Sequence, residues 1–315
     1  MNELEHDVLG TLRRSRTGSA STQANRRDLA MRFASRLGEQ FRGLRLANIR
    51  KDHVDWYVGY LTTMRSERTG MMLEPGTQKN SLAAVRWLLQ CIGKPNLLPK
   101  TNNKLGIKRR VYVTNLSKSI NVTDAEIGEI QHHCEYAAAA ILLSREFGLR
   151  IEESFKIIPT LADEGSVLRL QRSWTKGGVP RTIPILHDAQ RQALRRAREV
   201  AGDDSLIPRG LNYVTHLRLS RSLYNKFGIH HNHGLRHQYA QRRFRELAGF
   251  DCPALGGPMR GDMTDEQYRA DRKVRKIISG ELGHGRVAVT SVYLGSPTFK
   301  SIATTHQVDR LLGDA

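Results

Sequence analysis

Cysteine is scarce, with three in 315 residues. Cys91, Cys134 and Cys252 are odd in number and far apart, so they build no disulfide framework and no C-x-x-C metal pair. That usage fits a reducing compartment and a cytoplasmic location. Cys134 follows His132 and His133, but adjacent residues on a helix point in different directions, so no metal site is expected there. Long apolar runs are missing too. No stretch of about 18 apolar residues occurs, which excludes a helix spanning a bilayer and makes a membrane partner unexpected. The opening MNELEHDVLG is acidic and has no apolar core, so no signal peptide is expected. No GxxxxGK[ST] phosphate loop, internal repeat or low-complexity tract is found. Acidic residues are in short supply, 31 against 50 Lys and Arg.

What is present is charge of one sign. The formal net charge is +19, and an excess of that size points to a polyanionic partner. The hydrophobic fraction, 39%, is enough for real cores. The length suits one large domain or two ordinary ones.

Residues 1–21 are polar, with Arg13, Arg14, Arg16 and a Gly-Ser-Ala-Ser stretch, and read as a flexible basic tail. Residues 22–99 carry three helical stripes: Leu29, Phe33, Leu37 and Phe41; Val54, Tyr57, Val58 and Leu61; Leu82, Val85, Leu88 and Leu89. They predict a small helical domain. Residues 100–115, with KTNNKLGIKRR at their start, read as a basic linker. Residues 116–315 form a second domain, mostly helical. Thr123-Asp-Ala-Glu126 is a capping box, and Val167 to Leu170 with Thr182 to Ile185 read as a hairpin. The fold class expected is mainly α with a small β-sheet (α+β).

Four separated segments of the second domain hold polar residues in turn or helix-end contexts. They are GLRIE around Arg150, TKGG around Lys176, HGLRH from His233 through Arg236 to His237, and LGH ending at His284, with Tyr293 nine positions further. Each alone has a plain structural explanation: a surface arginine, a glycine turn, a solvated basic face, a helix terminus. Together they suit phosphodiester chemistry. Guanidiniums neutralise non-bridging oxygens, a tyrosine hydroxyl is a competent nucleophile once a base takes its proton, and lysine or histidine can protonate a leaving oxygen. No carboxylate cluster accompanies them, so neither metal nor cofactor is expected.

In that chain order, Arg150, Lys176, His233, Arg236, His284 and Tyr293 resemble the Arg–Lys–His-x-x-Arg–His–Tyr signature of the tyrosine recombinase (phage integrase) family. GLRIEE, WTKGGVPRTIPI, HGLRHQYA and IISGELGHGRVAVTSVYL are similar to its boxes and cover most of residues 140–295. The resemblance implies a site-specific DNA recombinase or integrase acting through a 3′-phosphotyrosyl intermediate on a mobile element. It also implies an N-terminal core-binding (SAM-like) domain and a catalytic domain that clamp double-stranded DNA, and a homotetramer on two DNA sites. A bacterial, nucleoid-associated setting follows, with accessory DNA-bending proteins left open. A Xer-like resolvase, a type IB topoisomerase and a catalytically inactive DNA-binding relative stay open as alternatives.

Two departures accompany the match. His237 and His284 have 46 residues between them, roughly twice the family's usual spacing, with an insertion at about 250–268 that reads as a Pro- and Gly-broken loop. Residues 1–21 are short for a separate arm-binding domain. A C-terminal tail, 296–315, is expected to form an amphipathic helix docking on a neighbouring subunit or on its own domain.

Overall fold

A capping box starts the chain. In the computed structural model, which describes residues 1–66 and 69–298, Asn2 accepts from the Glu5 amide and Glu5 from the Asn2 amide. Helix α1 (Glu3–Arg14) follows, and Leu4 and Val8, one turn apart, are fully buried. This corrects the flexible tail expected at 1–21. The segment is charged, but a single apolar stripe is enough once a core is there to receive it. That core is supplied by α2 (Ala20–Gln40), α3 (Lys51–Thr63) and α4 (Pro75–Cys91, with proline at its first turn). The three helices carry the three stripes read from the sequence. Part of the expected linker at 100–115 also differs from a solvated connector: Ile107 is buried in this core, and Arg86 donates to the Asn102 side chain.

The chain divides between Val111 and Tyr112 into two compact units. The second is built around α6 (Glu135–Phe147), which is apolar on almost every side and accordingly buried. Helix α5 (Asp124–His133), opened by the Thr123–Glu126 capping box, precedes it. Gly148 ends α6 in a left-handed conformation (φ 61°), and α7 (Ile151–Lys156) and α8 (Pro159–Ala162) follow at once. The hairpin pairs β1 (Val167–Leu170) with β2 (Arg181–Pro184), Leu168 opposite Ile183 and Leu170 opposite Arg181. Its connection is longer than a tight turn. It seats Trp174 in the core and leaves Lys176 exposed beside Gly177 and Gly178, both at positive φ.

Helices α9 (Asp188–Ala201), α10 (Tyr213–Lys226), α11 (His233–Ala248), α12 (Asp265–Glu281) and α13 (Val287–Leu294) complete the unit. The expected loop insertion is a folded segment. Cys252, Ala254 and Met263 are buried, two short 3-10 turns shape it, and residues 265–268 already belong to α12. Of the C-terminal tail, residues 299–315 lie outside the described residues. Among the described residues, no helix is long and apolar enough to cross a membrane.

Candidate active site

The left-handed turn at Gly148 sets the first arginine in place. A Cβ there would lie 2.6 Å from the Tyr239 ring, so only glycine allows α6 to end this close to α11. Two residues later Arg150 caps α7, its Nη1 donating to Glu153 Oε1 at 2.7 Å. Glu153 is fully buried and also receives both Nη groups of Arg181 from β2, at 3.0 and 2.6 Å. Burial alone would raise the Glu153 carboxyl, but the Arg181 hydrogen bonds and the surrounding guanidinium charges hold it down to about 2.

Arg236 lies on the first turn of α11, 1% exposed. Its Nη1 donates to the Gly148 carbonyl at 2.5 Å and its Nη2 to the Leu282 carbonyl. Its Nε is buried with no partner among the described residues. Burial, followed by the charge of Arg150, lowers Arg236 to about 10, so it stays a cation at neutral pH. Gly283, at φ 66°, turns the chain after α12, and a Cβ there would press on Arg181 Cδ at 2.9 Å.

That turn delivers His284. Arg236 can only donate, so the 3.4 Å approach of its Nη2 to His284 Nε2 makes that nitrogen the acceptor. His284 Nδ1–H then donates to Thr290 Oγ1 at 3.1 Å. This tautomer is neutral, in keeping with burial and the charges of Arg236 and Arg150, which lower His284 to about 3.

Tyr293, 5% exposed near the end of α13, sits among three imidazoles. His284 stacks on its ring at 5.2 Å, and the His237 ring lies tilted against it at 4.5 Å. His233 Nε2 lies 3.0 Å from its hydroxyl. Burial, followed by the Arg236 and Arg150 charges, lowers His233 to about 4. A neutral His233 with Nε2 unprotonated can accept a hydrogen bond from the tyrosine hydroxyl. The Tyr293 carbonyl receives Gln241 Nε2 at 2.9 Å, so His233, His237 and Gln241, each four residues apart on α11, contact the same tyrosine.

The structure therefore brings Arg150, His233, Arg236, His284 and Tyr293 into one cluster. Lys176 stands apart on the exposed hairpin connection, though its positive charge still contributes to lowering His233. Three guanidiniums, those of Arg150, Arg181 and Arg236, meet in the cluster; Glu153 bonds the first two and feels the charge of the third. The neighbouring buried carboxylate, Glu281, is held by Tyr239 and Arg243. Such an excess of buried positive charge suits an anion.

Sequence reading missed Glu153, Arg181, Gln241 and Thr290, and it quoted His237 without placing it in the site. The Arg150–Glu153 spacing of three on a helix was a readable signal. Arg181 and Gln241 had none, because their partners are distant in sequence.

Residues 1–98 match the family described as phage integrase, N-terminal, and residues 109–242 match the family described as integrase. The chain belongs to the phage integrase family of tyrosine recombinases. The integrase match ends at Arg242, so His284 and Tyr293 are joined to it here by geometry. Solved integrase structures share the fold. A lambda integrase tetramer bound to a Holliday junction aligns at TM-score 0.54 with 15% identity, over 94% of this chain and 79% of that one. A lambda integrase dimer bound to a COC′ core site aligns at 0.56 with 17% identity, over 93% and 79%. The Tn1549 transposon integrase in complex with transposon right end DNA aligns at 0.52 with 14% identity, over 98% and 99%. No curated protein matches the chain in sequence.

Proposed function

We propose that this integrase-family chain is a site-specific DNA recombinase that cuts and rejoins duplex DNA through Tyr293, integrating or excising the mobile element that encodes it. One observation carries the reading: the Tyr293 hydroxyl is 3.0 Å from His233 Nε2, beside the guanidiniums of Arg150 and Arg236.

In the proposed reaction the Tyr293 oxygen attacks the scissile phosphorus and His233 takes its proton. Arg150 and Arg236 neutralise the non-bridging oxygens, with Arg236 Nε a donor that has no partner among the described residues. His284 hydrogen-bonds the phosphate once Arg236 Nη2 turns from its Nε2 to a non-bridging oxygen and the imidazole carries its proton on Nε2, with Thr290 Oγ1 then donating to Nδ1. The bond to the 5′ oxygen breaks, and Lys176, reaching in from its hairpin, supplies that oxygen's proton. The product is a 3′-phosphotyrosyl link and a free 5′-hydroxyl. Attack by a 5′-hydroxyl from the exchanging strand reverses the step and releases the tyrosine. The phosphodiester energy is kept in the covalent link, so the account needs neither ATP nor a metal. Exchange between two duplexes calls for four protomers on two sites, with both units of each protomer holding DNA.

The test uses nicked duplexes spanning the ends of the encoding element. Cleavage close to the nick loses a short fragment and strands the intermediate. The proposal expects a denaturation-resistant protein–DNA adduct, absent in Tyr293→Phe, while DNA affinity changes by no more than about threefold. Tight binding by the unaltered protein without any adduct would overturn it and leave a DNA-binding relative.

A further inference from the structure

We propose that the folded segment from Pro253 to Arg260, together with Asn115 and Arg275, is a clasp that holds Tyr293 against His233 before DNA arrives. The proposal deepens the functional reading, since it takes Tyr293 as the nucleophile.

Helix α13 has eight residues, too few to persist on its own. The start of α13 has no side-chain cap. Its far end is held by a set of polar anchors placed on the three residues after the helix. Arg275 Nη1 donates to the Gly295 carbonyl at 2.7 Å, and Asp271, buried beside it, fixes that guanidinium through Nε at 2.8 Å. Asn115 binds Ser296 twice, accepting from its amide at 2.9 Å and donating to its carbonyl at 3.1 Å. The Arg260 amide donates to the Pro297 carbonyl at 2.9 Å. The Asn115 amide also reaches Met259 Sδ at 3.5 Å, so the clasp's parts meet one another.

Close packing reinforces the hydrogen bonds. Gly295 has φ 72° and ψ −176°, a conformation essentially reserved for glycine. A Cβ there would lie 2.7 Å from Asn115 Oδ1 and 2.8 Å from the Ala254 nitrogen. The segment itself is tightly folded: the Gly257 amide donates to the Cys252 carbonyl at 3.0 Å, and a Cβ on Gly257 would strike the Asp251 carbonyl oxygen at 1.7 Å.

Three parts of the second unit thus converge on Gly295–Pro297: the irregular run before α5, the segment between α11 and α12, and α12 itself. None of these anchors touches the Tyr293 hydroxyl. They act through the backbone, two to four residues away, and are positioning residues. Their value to the reaction is geometric, because a displacement of about 1 Å at a reacting atom can cost about 10² in rate.

Two full-length variants test this, Asn115→Ala and Gly295→Ala. Hydrogen exchange without DNA is expected to speed up about tenfold in peptides covering α13, the factor one or two hydrogen bonds supply. Peptides from α6 and α9 should be unchanged, showing an intact fold. On nicked DNA from the element ends, the single-turnover cleavage rate should drop about 10- to 100-fold while the dissociation constant moves less than about threefold. Unchanged α13 exchange in both variants overturns the clasp. So does a loss of cleavage matched by an equal loss of binding. If the unaltered protein forms no adduct on that DNA, the functional reading fails, and the exchange measurement still decides whether the clasp exists.

Discussion

Replacing Glu153 by glutamine keeps the side chain's shape and removes the charge that Arg150 and Arg181 share. Because Arg181 is itself buried, the change strands a guanidinium in the interior, a defect worth about 3 kcal/mol. Chemical denaturation of the second unit should show a loss of that order, and a stability equal to that of the unaltered protein would contradict the role given to Glu153. The same residue shows where sequence reading stopped. Arg150 and Tyr293 were legible as members of an ordered motif set, each beside a glycine turn or a histidine. The Arg150–Glu153 spacing was a readable sign of the counter-charge, but its second partner, Arg181, was not legible, since it arrives on a hairpin docking on a helix. The motif identified the groups that face a phosphate and was silent on what holds their charges together.

At the scale of elements, the helices with a clear apolar stripe, α2 to α4, were visible in the periodicity, and the hairpin in its β-branched runs. Helix α1 was not. It exposes its charges and buries only Leu4, Val8 and Thr11, so its pattern is nearly that of a solvated tail until the partner helices are present. Leu4→Ala should therefore cost the first unit about 3 kcal/mol, as for other fully buried leucines. Thermal unfolding of the chain checks this, and a melting temperature unmoved by the substitution would return residues 1–14 to the status of a tail. The segment at 250–263 was legible as an interruption but not as a folded part, because its glycines and prolines signal turns whether or not the turns pack.

For the molecule as a whole, two responses to solution conditions follow. His233 and His237 are lowered to about 4 and His284 to about 3, each from an ordinary value of 6.5, chiefly by burial. Between pH 6.5 and about 4 the unfolded chain binds protons that the folded chain refuses. Stability is thus fully present above pH 6.5 and is lost as pH falls toward 4, ahead of the carboxylates. Denaturation midpoints measured from pH 7.5 to 5 should decline below 6.5, and a flat profile across that span would contradict the buried neutral imidazoles. The net charge of +19 makes a second demand. The affinity for DNA should fall linearly on a log–log salt plot, with a slope of about −0.9 for each phosphate contacted, and titrations at several salt concentrations that give one affinity would rule out backbone charge as the main source of binding.

The central claim is that a phenolic oxygen of this chain becomes joined to a DNA phosphate, and peptide mapping of trapped, nuclease-trimmed protein–DNA adducts tests it most directly. The account predicts a nucleotide mass on the peptide carrying Tyr293 and on no other. A nucleotide on a different residue, or adduct-free protein recovered from its own recombination site, would contradict it.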